Sequence, residues 1–258
     1  MKLENQTALV TGASRGIGYE IALGFAREGA DVAVTARSAQ DLEELKGKIE
    51  ALGRRCHVIV ADLGARGQTE AVWQQTERAF DHLDILVNNA GLGSSSNPKP
   101  VVDFDDDFWE QSLYLNLTVP YLLCKKALPG MLARKYGRII NIASINSKTG
   151  SLHGAAYSAS KHGLLGLTRT IALELSSQGI TANAICPGPV RTRMNNKRVV
   201  YDAERMGIAS EELETRMTLL GRRLEPHELA PLAIYLASRE ASVLTGQSIN
   251  IDGGVLMS

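Results

Sequence analysis

Tyr157 and Lys161 stand four residues apart in the stretch AAYSASK, Ala155 to Lys161, separated only by Ser and Ala. On a helix, that spacing puts a phenol and an ammonium on one face. A free phenol ionises near pH ~10 and is a poor acid or base at neutrality. A neighbouring cation favours phenolate and pulls that value down. A tyrosine tuned in this way could exchange a proton near neutral pH. A solvated Tyr–Lys pair is the plain alternative, and the rest of the chain has to separate the two.

A second cue lies near the start, in TGASRGIG (Thr11 to Gly18), which follows the apolar run TALVT and opens a helical pattern. Glycines at 12, 16 and 18 let main-chain N–H groups approach an anion, and the helix start directs a partial positive charge at it. A dinucleotide pyrophosphate is the expected guest. Gly12, Ser14, Arg15, Gly16, Ile17 and Gly18 are the residues expected around it.

The elements that must position these groups alternate from end to end. TALVT, DVAVTA, CHVIVAD, DILVNNAG, GRIINIAS, ITANAICPG and GQSINIDGG read as strands. Between them lie helical patterns: YEIALGFAREGA, a helix from Ala39 to Gly53 with Ser38 as its N-cap, and one through Ala71–Phe80. A long helix is expected from about Asp105–Phe108 to Arg134. The helix carrying Tyr157 runs to about Ser177, and another spans PHELAPLAIYLAS. Strands of Val, Ile and Ala alternating with helices predict a doubly wound α/β fold, a parallel sheet covered on both faces. No linker, repeat or low-complexity segment divides the 258 residues, so one domain over 1–258 is expected.

Composition narrows the class. Lys+Arg and Asp+Glu are both 28, so net charge gives no sign of a nucleic-acid or anionic-membrane partner. Cys56, Cys124 and Cys186 are scattered, and the five histidines show no ligand spacing, so neither a disulfide framework nor a metal site is expected. The first residues lack the apolar core of a signal peptide, and no run approaches ~18 apolar residues, which predicts a soluble, cytoplasmic protein.

With NNAG at Asn88–Gly91, Asn116, Ser144, the Tyr157/Lys161 pair, PGPVRT at Pro187–Thr192 and the terminal GQSINIDGG, the chain resembles the short-chain dehydrogenase/reductase family over nearly its whole length. The resemblance implies a Rossmann-type seven-stranded parallel sheet and a catalytic four of Asn116, Ser144, Tyr157 and Lys161. Tyr157 would donate the proton to a carbonyl oxygen, and Ser144 would donate a hydrogen bond to the same oxygen. Lys161 would tune Tyr157 and bind the nicotinamide ribose, and Asn116 would hold a relay water. It also implies that Asp62 and Leu63 flank the adenine and that Asn89, Ala90 and Gly91 pack along the adenosine ribose. Pro187, Gly188, Val190 and Thr192 would lie by the nicotinamide, while Asn88 supports the sheet. Homotetramers are common in the family. One pair of subunits would meet through Phe108–Arg134 and Ala156–Ser176, another through the last strand and GGVLMS.

Cofactor selectivity can be read from residues. NAD sites usually carry an acid at the end of the second strand. Ala36 stands there instead, followed by Arg37, with Arg15 in the glycine turn as a second cation. Two arginines without a carboxylate suit a 2′-phosphate, which predicts NADP(H). On the substrate side, Gly93–Ser96, Asn146, Gly150–Ala155 and a charged, irregular lid over 193–217 are expected. His153 is a possible lining residue, and Lys197, Arg198 and Arg205 could meet an anionic tail. The expected reaction is NADPH-dependent reduction of a ketone, a 3-oxoacyl thioester or a related carbonyl compound. The alternative is a secondary alcohol, sugar or polyol dehydrogenase working oxidatively. A non-catalytic nucleotide-binding regulator on the same fold is the reading from another class.

Overall fold

The apolar run TALVT forms strand β1 (Thr7–Thr11), every residue of it buried. It is an interior strand, third in spatial order, of a seven-stranded sheet in the computed structural model, which describes residues 1–257. The other strands are β2 (Asp31–Ala36), β3 (Cys56–Val60), β4 (Ile85–Asn88), β5 (Gly137–Ile142), β6 (Ile180–Pro187) and β7 (Ser248–Ile251). Their spatial order is β3-β2-β1-β4-β5-β6-β7, and every pairing is parallel. This is the doubly wound Rossmann-type sheet expected from the sequence.

Both faces of the strands are apolar because both are covered. Alternate residues point to opposite sides. Ala8 and Val10 pack with Ile21 and Phe25 of α1 (Gly16–Arg27), Leu42 and Leu45 of α2 (Ala39–Glu50) and Leu236 of α9 (Ala230–Ala237). Leu9 and Leu86 face the other way. They pack with Trp73 of α3 (Gln68–Ala79), Leu123 and Met131 of α5 (Val119–Arg134) and Ile171 of α6 (Ala155–Leu175). Strand order reverses where β4 crosses over to pair with β1, so the carboxyl ends of β1 and β4 open a crevice.

Several boundaries differ from the sequence reading. Helix α1 begins at Gly16, inside the glycine turn. Helix α2 stops at Glu50, and Gly53 follows in the left-handed region. The expected helix from 105 to 134 is α4 (Asp106–Leu113) and α5 joined by a π-helical turn, Tyr114–Thr118. The PHELAPLAIYLAS segment is a 3-10 turn followed by the shorter α9. The charged stretch expected to be irregular is two helices, α7 (Arg193–Met206) and α8 (Ser210–Arg216). Thr192 N-caps α7, its hydroxyl accepting from the Asn195 N–H at 3.2 Å. Ser258 of the terminal GGVLMS lies outside the described residues. Among the described residues, no helix is long and apolar enough to cross a membrane.

Candidate active site

A cleft of about 330 Å³ opens at the carboxyl ends of the central strands. Three elements deliver its chemistry. Ser144 lies just beyond β5, Tyr157 and Lys161 lie on the first turns of α6, and Pro187 closes β6. Ile17, Asn89 and Gly91 line the same cleft, as do Gly188, Val190 and Thr192. Ten of the residues expected at the site thus meet in one place.

Ser160 is fully buried, and helix α6 runs close to the π-helical turn, where a Cβ on Gly163 would meet Leu117 side-chain carbons at 2.7 Å. The small residues between Tyr157 and Lys161 permit this closeness. Lys161 is 5% exposed, and its Nζ donates to the Ile142 carbonyl at 2.7 Å. Burial with no carboxylate beside it pulls the ammonium down to about 8. Its Nζ stands 5.9 Å from the centre of the Tyr157 ring.

The Tyr157 phenol differs from the sequence expectation. Burial pushes it above its ordinary value, and the neighbouring Ser144 hydroxyl offsets only part of that rise. A raised value keeps the phenol protonated at neutral pH, the form that can donate. The Ser144 hydroxyl accepts from the Asn146 N–H at 3.1 Å, which leaves its own hydrogen free to turn into the cleft.

Asn116 sits in the π-helical turn and is 1% exposed. Its Oδ1 accepts from the Leu92 N–H at 2.8 Å, while its Nδ2 donates to the Leu92 carbonyl at 3.0 Å and to Ser160 Oγ at 3.1 Å. The side chain therefore clamps the loop after β4 to α6 and does not line the cleft. Asn89 is also occupied. Its amide donates to the carbonyls of Thr11 and Gly12 at 2.9 and 3.1 Å, tying the glycine turn to the end of β4. Asn88 supports the sheet, donating to Asn141 Oδ1 at 2.8 Å.

The glycine turn fits a pyrophosphate. Arg15 at the N-cap of α1 has an extended backbone and makes no side-chain cap, and the first turn holds no acid, so its N–H groups face outward without a side-chain partner. Gly12 and Gly16 have φ of 66° and 60°. Gly18 serves close packing: a Cβ there would run into the Asn89 amide and lie 2.6 Å from the Gly12 carbonyl oxygen. The main chain cannot yield easily. Gly18→Ala should therefore lower stability by about 1–3 kcal/mol and weaken dinucleotide binding, read by thermal melts with and without NADPH.

Farther along the crevice, Arg15 pairs with Asp41 at 2.9 Å, whereas Arg37 reaches Asp62 only at 4.0 Å and is 76% exposed. Both guanidiniums stand at the ends of β2 and the glycine turn. Asp62 is exposed, but Leu63 is buried beside Trp73, so its main chain alone is left to meet an adenine. Ser14 is half-buried and Ala90 packs on the core.

The substrate end is walled by Ser94, Ser95, Asn146 and Leu152 and roofed by Met194, Asn195 and Met217. Met194 rests on Gly93, where an added Cβ would lie 2.8 Å from its Sδ. His153 does not line the cleft, because its Nδ1 is held 2.6 Å from the Tyr201 hydroxyl. Arg198 does line it, but is paired to Asp202 through two nitrogens at 2.6 and 2.9 Å. Arg205 leans on the same carboxylate at 3.7 Å. Sequence reasoning missed Leu92 and Ile145, apolar lining residues that no motif marks, and did not single out Pro189 within PGPVRT.

Residues 6–201 match the family model for short chain dehydrogenases. D-beta-hydroxybutyrate dehydrogenase of Cupriavidus necator is 37% identical, with 98% of each chain covered. The 3-oxoacyl-acyl-carrier-protein reductase FabG of Salmonella typhimurium is 35% identical over the full length of both. A crystal structure of a variant actinorhodin polyketide ketoreductase with NADPH superposes with a TM-score of 0.90 at 36% identity, covering 97% of each chain. A Ser–Tyr–Lys cleft beside a glycine-rich turn on this sheet, with likeness of that extent, means that the chain belongs to the short-chain dehydrogenase family and is an oxidoreductase acting between CH–OH and C=O.

Proposed function

We propose that the protein is an NADPH-dependent reductase of ketones, with 3-oxoacyl thioesters or related 3-oxo compounds as its substrates. The observation that carries this reading is the convergence of Ser144, Tyr157 and Lys161 on one cleft that reaches Ile17 of the glycine-rich turn. A FabG reductase among the relatives and an NADPH-bound ketoreductase among the structural neighbours support it. Residues 1–258 form one domain, and α7 with α8 is its substrate lid.

When bound, the reduced nicotinamide supplies the hydride. Gly12, Ser14, Arg15, Gly16, Ile17 and Gly18 hold the pyrophosphate half of the dinucleotide, and Pro187, Gly188, Val190 and Thr192 flank the ring. Asp62, Leu63 and Asn89–Gly91 form the adenosine side. Tyr157 gives its proton to the carbonyl oxygen as negative charge builds there. Ser144 donates a second hydrogen bond to that oxygen, a contribution of about 3 kcal/mol at the transition state. Lys161 places a positive charge beside the phenol and binds the ribose hydroxyls. Asn116 holds α6 and the loop after β4 in register, and a water beside it would connect Lys161 to solvent.

Arg37 is the selectivity residue for the 2′-phosphate. Its weak, 4.0 Å contact with Asp62 leaves the guanidinium free to make a charge-assisted pair. Arg37→Ala should weaken NADPH binding about 10- to 100-fold and leave NADH within about twofold, read by fluorescence titration of both. Equal loss for the two cofactors would contradict this assignment.

Oxidation of a secondary alcohol on the same groups is the second reading, favoured by the 37% likeness to a hydroxybutyrate dehydrogenase. The protein acts in the cytoplasm as a homotetramer. Trp109, Tyr121 and Leu173 are 37%, 45% and 89% exposed on α4, α5 and α6, and Met257 is 81% exposed near the end of the chain. Both surfaces would be covered in such an assembly.

A further inference from the structure

Arg223 is 4% exposed and stands between the two helices of the roof. Its Nη1 donates to Asn195 Oδ1 at 3.2 Å and to Asn196 Oδ1 at 2.7 Å, both on the first turn of α7. Its Nη2 donates to Glu214 Oε1 at 2.6 Å on α8. Glu214 is shared with Arg191 at 3.2 Å, so the base of the roof is one charged network. Burying a guanidinium costs less when acceptors meet it, and both Nη atoms of Arg223 have them although its buried Nε has none. Here the acceptors come from both roof helices, so separating the helices would strand the charge.

The arrangement has a consequence for Asn195. Its carboxamide could point either way, but only the oxygen can accept from Arg223. With Oδ1 committed, the Nδ2 amino group is the free end, and Asn195 is one of the residues lining the cleft. The main-chain N–H of Asn195 is already capped by Thr192 at 3.2 Å, which fixes the residue from the other side. We propose that Arg223 is a positioning residue that locks Asn195 as a hydrogen-bond donor in the substrate end of the cleft. The preferred substrates then carry a second oxygen acceptor near the reacting carbonyl. This inference rests on the reductase reading. A 3-oxo ester or thioester has that acceptor; a simple ketone does not. A site built around a donor discriminates against the analogue that leaves the donor unpaired.

The test compares ethyl 3-oxobutanoate with 2-heptanone, which has the same chain length without the second carbonyl. Asn195→Asp keeps the shape and the Arg223 contact but replaces the donor by an acceptor. The ratio of kcat/KM for the ester to that for the ketone should fall about tenfold, the loss of one hydrogen bond. Arg223→Met should lower the ratio in the same direction, through KM more than kcat, and add nothing when combined with Asn195→Asp. Arg223→Lys, which keeps the charge and is gentler on folding, should give an intermediate ratio. An unchanged ratio in a folded Asn195→Asp protein that binds NADPH like the wild type would overturn the proposal. Independent, additive losses in the double variant would overturn the positioning role. Calorimetric binding of ethyl 3-hydroxybutanoate and 2-heptanol to the NADPH-bound proteins reads the same contrast without turnover. If the wild type reduces neither ketone, the reductase reading fails, and the difference in alcohol binding still decides whether Asn195 donates.

Discussion

Replacing Tyr157 with phenylalanine should lower kcat for ketone reduction at least ~10³-fold while leaving the NADPH Kd within about twofold. The phenol contributes the proton, worth about 10²- to 10⁴-fold as general acid, and a hydrogen bond to the developing oxyanion. Phenylalanine keeps the ring on the buried face of α6, so packing is conserved. Ser144 keeps its acceptor role toward the Asn146 N–H. Stopped-flow reduction and fluorescence titration measure the two quantities on one preparation. Loss of both together would assign Tyr157 to cofactor binding and not to proton transfer.

Lys161→Met should have two effects of opposite sign. Reduction should fall by at least ~10²-fold, since the charge beside the phenol and the donors for the ribose are both removed. Stability at pH 7 should rise. The folded-state value of Lys161 is about 8, against an ordinary 10.5. Between those values the unfolded chain binds more protons, so stability increases as pH rises through that window. Below about 8 the whole cost of burying the ammonium is present, roughly 3 kcal/mol for a shift of this size. The lost hydrogen bond to Ile142 returns about 1 kcal/mol of that. A net gain of about 2 kcal/mol predicts a melting point about 4–8 °C higher at pH 7, with the difference shrinking toward pH 10. In the wild type, kcat/KM for reduction should be level below about pH 8 and decline above it as the ammonium is lost. A melting point lower than wild type at pH 7 would mean that the buried charge is compensated in solution.

Much of this arrangement was legible in the chain. Apolar runs such as DVAVTA and ITANAICP became strands because burial on both faces leaves no room for polar alternation. Tyr157, Lys161 and the glycine turn stood out because their chemistry depends on residue type and short spacing, whereas Ser144, 13 residues before Tyr157, came only from the resemblance to the family. The roof was not. Helix α7 buries only Val199 and Ala203, and α8 only Leu213, so neither shows the apolar periodicity that marks a helix. The Arg223 network was invisible because its partners lie 27 or 28 residues away on α7 and 9 away on α8. The π-helical turn at Tyr114–Thr118 carries no composition of its own and arises where Asn116 reaches back to Leu92 and across to Ser160. The direction of the Tyr157 shift was also hidden. Spacing reveals a cation nearby, but only the fold reveals how deeply the phenol is buried.

The most direct measurement is a single-turnover reaction of the wild-type protein with stoichiometric NADPH and excess ethyl 3-oxobutanoate, followed by loss of the reduced-nicotinamide absorbance and by recovery of the 3-hydroxy ester. The reductase account predicts one equivalent of alcohol per NADPH consumed, abolished by Tyr157→Phe. Tight NADPH binding with no oxidation of the nicotinamide, and no difference between wild type and Tyr157→Phe, would contradict it.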